Sequence, residues 1–206
     1  MHNVKHRGKL YLCTIMLKLG EYQTLTILRD TDPGLFLGNP EGDEVLLPNK
    51  YRPDSFEIGE ELDVFVYLDY DERPVATTLT PYLTLNSFGY LHCADVNEFG
   101  AFMDWGVQKQ LFVPFKEQAR PMKVGNWYIV YLYLDEQTQR LVGSSKTNKY
   151  LTNDNVDIEK FAEVDILVTH LTEKGANAIV NGKHHGLIYE GDIFEDIRTG
   201  DRIKAY

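Results

Sequence analysis

Phe99-Gly100-Ala101-Phe102-Met103-Asp104-Trp105-Gly106, running on to Leu111-Phe112-Val113-Pro114-Phe115, reads as strand, turn and strand. Side chains alternate across a strand, so Phe102 and Asp104 share one face and Ala101 and Met103 the other. Gly100 stands where the strand must bend sharply, a place suited to a residue without Cβ. Gly100, Pro114 and Gly125 are spaced 14 and then 11 residues apart. The same two intervals separate Gly34, Pro48 and Gly59 upstream, and Gly175, Tyr189 and Gly200 downstream.

The surroundings of these marks agree as well. Leu46-Leu47-Pro48, Phe112-Val113-Pro114 and Leu187-Ile188-Tyr189 form one kind of short apolar strand. After each last glycine comes a period-two strand: Leu62, Val64, Val66; then Tyr128, Val130, Leu132; then Ile203 and Ala205. The first two copies close with polar turns, Asp69 to Arg73 and Asp135 to Arg140, each leading into a last strand, Pro74 to Thr78 or Leu141 to Ser145. A single large sandwich would not require equal intervals. The chain therefore contains an internal repeat. Its units start 66 and 75 residues apart, too long for a solenoid and suited to a small five-stranded barrel. Abundant Tyr, Phe, Val, Leu and Thr, punctuated by Gly and Asn, agree with an all-β class.

The 206 residues carry a net charge of −10, unevenly spread. Residues 1–15 hold +3, residues 16–80 hold −9, residues 81–155 balance at seven charges of each sign, and residues 156–206 hold −4. An acidic first repeat repels a phosphate backbone, so the neutral middle repeat is the expected contact for a nucleic acid. No apolar run approaches the roughly 20 residues of a membrane span, and no membrane contact is expected. Cys13 and Cys93 make no disulfide framework and have no metal-ligand spacing, which agrees with a reducing cytoplasm and predicts no metal.

Taken in order, residues 1–15 have no counterpart in the repeat and read as an extension or a non-native start, with Met16 an ordinary beginning. Three units follow: residues 16–80, residues 81–148, and a linker with an incomplete third unit over 149–206. Lys116 to Met122 predicts one helical turn and Ile158 to Phe161 a short helix. Asn181-Gly182 predicts a tight hairpin. The third unit reaches Tyr206 with its fourth strand barely begun, so Ile188 and Ile203 should be less covered than Leu47 and Val64.

The glycine turn, the strand ending 14 residues later, and the closing Asp and Arg resemble the S1-type RNA-binding OB domain. A fuller set is more particular: Val45-Leu46-Leu47-Pro48, Val64 to Asp69, Arg73 to Thr77, Gly100 to Gly106 and Val113-Pro114-Phe115. Over about residues 16–206 these strings look like the bacterial conserved virulence factor B family. The resemblance implies an all-β chain of tandem S1-like OB-fold five-stranded barrels, the third incomplete, normally followed by a winged-helix domain. This chain would then be an N-terminal part. It also implies RNA binding and a role in gene regulation.

S1 domains commonly stack bases on an aromatic before the turn glycine and on another two residues after it. Those positions are Phe99 and Phe102 in the second repeat, Pro33 and Phe36 in the first, Lys174 and Asn177 in the third. The strand-three histidine of many S1 domains is replaced by Pro48, Pro114 and Tyr189, while the arginine after strand four matches Arg73 and Arg140. Phe99, Phe102, Phe112, Lys109 and Arg140 are thus the candidate RNA-binding residues, with no catalytic residue, cofactor or metal. Trp105 is a further candidate ring; Phe112 and Trp105 read rather as filling a barrel interior, while Phe99 and Phe102 suit either role. Lys116, Arg120 and Lys123 are candidate phosphate contacts or a solvated loop. His184-His185 lacks a third ligand, Ser144-Ser145 lacks a nucleophile-elbow context, and the carboxylates 69, 71 and 72 suit a turn facing water. The expected function is a non-enzymatic, cytoplasmic module that weakly binds single-stranded RNA, with other proteins as possible partners of the acidic first repeat. The alternative is a protein-interaction scaffold whose barrels have lost nucleic-acid binding.

Overall fold

Three glycine-to-strand pairings organise the molecule: Gly34 faces Pro48, Gly100 faces Pro114 and Gly175 faces Tyr189. They are seen in a computed structural model that describes residues 17–194 and 196–206. The expectations for residues 1–15 and for Met16 lie outside the described residues. At the three glycines the partner strand comes so close that a Cβ would lie 2.1 Å from the Leu47 carbonyl oxygen, 2.4 Å from that of Val113, or 2.0 Å from that of Ile188. Only glycine permits that approach. The 14-residue interval is therefore a hairpin register.

The 11-residue interval has an equally local cause. Gly59, Gly125 and Gly200 donate their backbone N–H to the carbonyls of Ile27, Cys93 and Val168, at 2.8, 2.9 and 2.8 Å. Each acceptor is the last residue before a bulge in the first strand of its unit, between Ile27 and Arg29, Cys93 and Asp95, or Val168 and His170. A bulge bends the strand and raises its twist, which lets five short strands curl.

In the first unit β1 (Glu21–Thr31), β2 (Gly34–Gly38), β3 (Glu44–Pro48), β4 (Glu61–Leu68) and β5 (Pro74–Thr77) form a closed barrel in the order β1-β2-β3-β5-β4. Its closing seam is the parallel pairing of Leu46 with Val75. In the second, β6 (Phe88–Val96), β7 (Gly100–Asp104), β8 (Leu111–Pro114), β9 (Trp127–Asp135) and β10 (Arg140–Ser144) form a sheet in the order β10-β9-β6-β7-β8. It curls far enough for Gly143 on β10 to sit under Val113 on β8. In the third, β11 (Val164–Thr172), β12 (Gly175–Val180), β13 (His184–Tyr189) and β14 (Arg202–Ala205) give an open sheet, β13-β12-β11-β14.

Period-two burial follows from this. Leu25, Ile27, Leu35, Leu37, Leu47, Val64 and Val66 fill the first barrel, and Leu91, Cys93, Met103, Val113, Val130 and Leu132 fill the second. Leu47 and Val64 are fully covered, whereas Ile188 and Ile203, in the open four-stranded sheet of the described residues, are half-buried. Asn181 and Gly182 take φ of 50° and 64° in the tight β12–β13 turn.

The expected turn near Lys116 is a short 3-10 segment, Phe115–Glu117. The short helix expected over Ile158–Phe161 does not form; the segment is irregular, with a turn at Lys160 and Phe161 and Phe161 at φ 69°. Phe161 is 75% exposed, so little packing is gained that could hold so short a helix. Helical geometry appears instead at Thr147–Tyr150, where the Tyr150 ring stacks on Tyr131 at 3.8 Å. No helix among the described residues is long and apolar enough to cross a membrane.

Candidate functional site

The first two barrels meet through an aromatic wedge. Trp105 leaves the end of β7, is 2% exposed, and lies edge-on to Phe65 at 5.7 Å and to Tyr67 at 6.3 Å, both from β4 of the first barrel. Its Nε1–H donates to the Lys109 carbonyl at 2.5 Å, so the polar edge of the indole is satisfied as the ring is buried. Trp105 is thus part of the core that joins the barrels. Beside this wedge opens a cleft of about 570 Å³.

Phe99, Phe102, Phe112, Lys109 and Arg140 all line that cleft. Phe102 on β7 and Phe112 on β8 are directly paired, and their rings stand 5.3 Å apart, tilted by 38°. Alternation puts Ala101, Met103, Leu111 and Val113 inside and leaves these two rings on the outer face, half-buried. Phe99 is 63% exposed at the β6–β7 turn. The Asn97 side-chain carbonyl fixes that turn, accepting from the Phe99 N–H at 2.8 Å and the Gly100 N–H at 3.3 Å.

The first barrel contributes the opposite wall. Leu68, Tyr70 and Glu72, from the end of β4 and the turn into β5, also line the cleft. Tyr70 is 67% exposed, and its hydroxyl donates to the Gln108 carbonyl at 3.1 Å, which holds the ring at the rim. Glu72 reaches across the boundary, with Oε1 3.0 Å from Lys109 Nζ and Oε2 3.2 Å from Arg140 Nε. Lys109 Nζ donates in addition to the Asp69 carbonyl at 2.7 Å. Both candidate cations are therefore already paired. Asp71 and Glu72 are exposed, as read for a turn facing water, and Glu72 in addition lines the cleft. Asp69 braces the turn: burial pushes its carboxyl up, but N–H donors of Asp71 and Arg73 and the Arg73 guanidinium outweigh this and hold it below its usual range.

Other candidates lie elsewhere. Lys116, Arg120 and Lys123 are exposed and do not line the cleft; Arg120 lies 5.8 Å from the Tyr128 ring centre. Ser144 is buried and donates to Glu117 at 2.7 Å, while Lys149 Nζ sits 2.8 Å from the same carboxylate. Burial pushes Glu117 up, yet the hydrogen bonds from Lys149 and Ser144 hold it below the usual carboxylate range. His184 is buried and donates from Nδ1 to the Thr152 carbonyl at 2.7 Å, pinning the linker, while His185 is exposed. Among the described residues no group of three or more His, Cys, Asp or Glu is placed to hold a metal ion.

Residues 19–79, the first barrel, match the S1 domain family. Over 118 residues the chain is 35% identical to the uncharacterized protein YitL of Bacillus subtilis (strain 168), a match covering 54% of this chain and 39% of that one. Over 196 residues it is 22% identical to conserved virulence factor B of Staphylococcus epidermidis, covering 91% of this chain and 66% of the relative. The resemblance to the conserved virulence factor B family is borne out. The matches span less than two-thirds of the length of these relatives. A solved structure shares the fold: a multidomain protein with nucleic acid binding domains from Streptococcus pneumoniae, with a TM-score of 0.54 at 18% identity, covering 90% of this chain and 67% of that one.

The three repeats differ at the position where S1 domains carry a stacking ring. In the first barrel Phe36 is covered by the Arg29 guanidinium, 4.1 Å from the ring centre, and Arg29 is held by Glu44 through two bonds of 2.8 and 2.6 Å. In the third, Asn177 replaces the ring and its side-chain amide lies 3.1 Å from His170 Nε2. The residue across from the ring position is Arg29, Asp95 or His170 in turn. Only in the second repeat does the position hold a ring, Phe102, with no cation from the opposite residue, Asp95, lying over it.

Proposed function

We propose that this chain is a non-enzymatic, cytoplasmic RNA-binding module, and that its second repeat takes unpaired bases on Phe99, Phe102 and Phe112 while Lys109 and Arg140 meet the phosphates. The observation that carries this reading is the gathering of all five residues around one cleft with two rings presented outward. OB-type folds read unstacked bases on the face of strands two and three, and each base stacked on an aromatic ring is worth about 1–3 kcal/mol. The first repeat's own ring, Phe36, is spent on Arg29, so it adds little. The S1 match of residues 19–79 and the nucleic acid binding domains named for the Streptococcus pneumoniae neighbour support nucleic-acid binding in general; the choice of the second repeat rests on the cleft. A role in gene regulation follows from the family resemblance.

Binding is weak and only shallowly dependent on salt, since few phosphates are neutralised. A titration of fluorescent single-stranded RNA into wild type and Phe102→Ala tests it; equal affinities for the two would remove the site. A specific observation also favours a protein-interaction scaffold: Glu72 neutralises both cations of the cleft. On that reading wild type binds no RNA even at low salt.

A further inference from the structure

The Asp69–Arg73 turn belongs to one barrel and does its pairing on the next. Its shape is set within the turn: the Asp69 carboxylate accepts from the Asp71 and Arg73 N–H groups, both at 2.9 Å, and the Glu72 N–H donates to the Asp69 carbonyl at 3.1 Å. Glu72 itself takes φ 61°, in the left-handed region that side-chain-bearing residues seldom adopt. Four contacts then dock the turn on the second barrel: Tyr70 to the Gln108 carbonyl, Lys109 to the Asp69 carbonyl, Glu72 to Lys109, and Glu72 to Arg140. The Glu72 carboxylate thus occupies the place beside both cations that a phosphate would need, on the rim of the cleft that holds the rings.

We infer that Glu72 is a specificity-determining residue of the cleft, a resident anion that a phosphate must displace, so that only a strand whose bases also stack on Phe99, Phe102 and Phe112 binds. This rests on the RNA-binding reading above and adds to it the means of rejecting base-free polyanions. A polyphosphate gains nothing from the rings, and exchanging Glu72 for one of its oxygens is close to neutral. A single-stranded RNA makes the same exchange and gains stacking besides. Specificity of this kind comes from an element that disfavours the wrong ligand.

The test replaces Glu72 with Gln. The second repeat already carries a glutamine, Gln139, at the matching turn position with φ 55°, so the backbone accepts that side chain. Fluorescent single-stranded RNA is titrated into wild type, Glu72→Gln, Glu41→Gln and Phe102→Ala at several salt concentrations, with thermal melts to confirm folding. Inorganic polyphosphate serves as competitor. Glu41 is exposed in another turn of the first barrel, so its substitution changes net charge equally but away from the cleft.

Glu72→Gln should bind RNA about three- to tenfold tighter at low salt, the scale of two partly exposed ion pairs. Its salt slope should steepen by up to about 1.4, since two phosphates on a single strand then exchange with freed cations. Polyphosphate should compete with RNA on Glu72→Gln and far less on wild type, while Glu41→Gln stays within about twofold of wild type. RNA binding that Phe102→Ala abolishes and Glu72→Gln leaves unchanged would overturn the role of Glu72 and leave the site intact. Equal gains from Glu41→Gln and Glu72→Gln would also overturn it, in favour of overall charge. Binding by Glu72→Gln but not by wild type would support it in its strongest form. Binding by neither would end both the site and the inference.

Discussion

Replacing Trp105 tests whether the first two barrels are joined through a shared core or merely tethered. The indole is 2% exposed, packs edge-on to Phe65 and Tyr67, and donates its N–H to the Lys109 carbonyl. Truncating a buried Trp to Ala removes its transfer free energy and leaves a cavity, at a cost of about 3–5 kcal/mol. Trp105→Phe keeps most of the ring but leaves the Lys109 carbonyl without its donor, and should cost about 1–2 kcal/mol. Urea unfolding followed by circular dichroism gives both values. A double-mutant cycle with Phe65→Ala should show coupling of about 0.5–1.5 kcal/mol, as expected of rings in contact across two units. A loss below about 1 kcal/mol for Trp105→Ala, with no coupling to Phe65, would refute the wedge; that is what a ring on an open face would give.

Gly100→Ala should cost at least about 2 kcal/mol in the same assay, because its Cβ would meet the Val113 carbonyl, and a loss under about 1 kcal/mol would contradict the close approach. Ser144→Ala should cost about 1.5–3 kcal/mol by removing a buried hydrogen bond to the Glu117 carboxylate. Glu117 also predicts a pH dependence. Its folded-state pKa lies below its unfolded value, so its stabilisation is fully present above the unfolded pKa and is lost as pH falls through the folded one. Wild type should therefore lose stability below about pH 4–5, the ordinary glutamate range, and Lys149→Met should lose less over that window. Parallel curves for the two would exclude the pairing.

Legibility in the sequence tracked the range of the interaction. The 14- and 11-residue intervals are the register of one hairpin and the return of one strand to a bulge, so Gly34, Gly100 and Gly175 marked equivalent turns from spacing alone. Phe102 facing outward and Met103 inward followed from alternation within β7. Contacts between units carry no period. Nothing in the strand pattern shows that Trp105 meets Phe65, 40 positions away, or that Glu72 reaches Lys109 and Arg140. The cover of Phe36 by Arg29 depends on a bulge that brings those residues opposite, and a bulge shifts register without a compositional mark. Ile158–Phe161 failed as a helix because propensity over four residues is weak without packing.

The central claim is that the second repeat, and not the first, presents open rings to unpaired bases. Its most direct test is the affinity of fluorescent single-stranded RNA for wild type, Phe102→Ala and Phe36→Ala, each shown to be folded by its thermal melt. Phe102→Ala should weaken binding by about 1–3 kcal/mol, while Phe36→Ala, whose ring already lies under Arg29, should change it by less than about 0.5 kcal/mol. A folded Phe102→Ala that binds as tightly as wild type, or a Phe36→Ala that loses as much, would contradict the account.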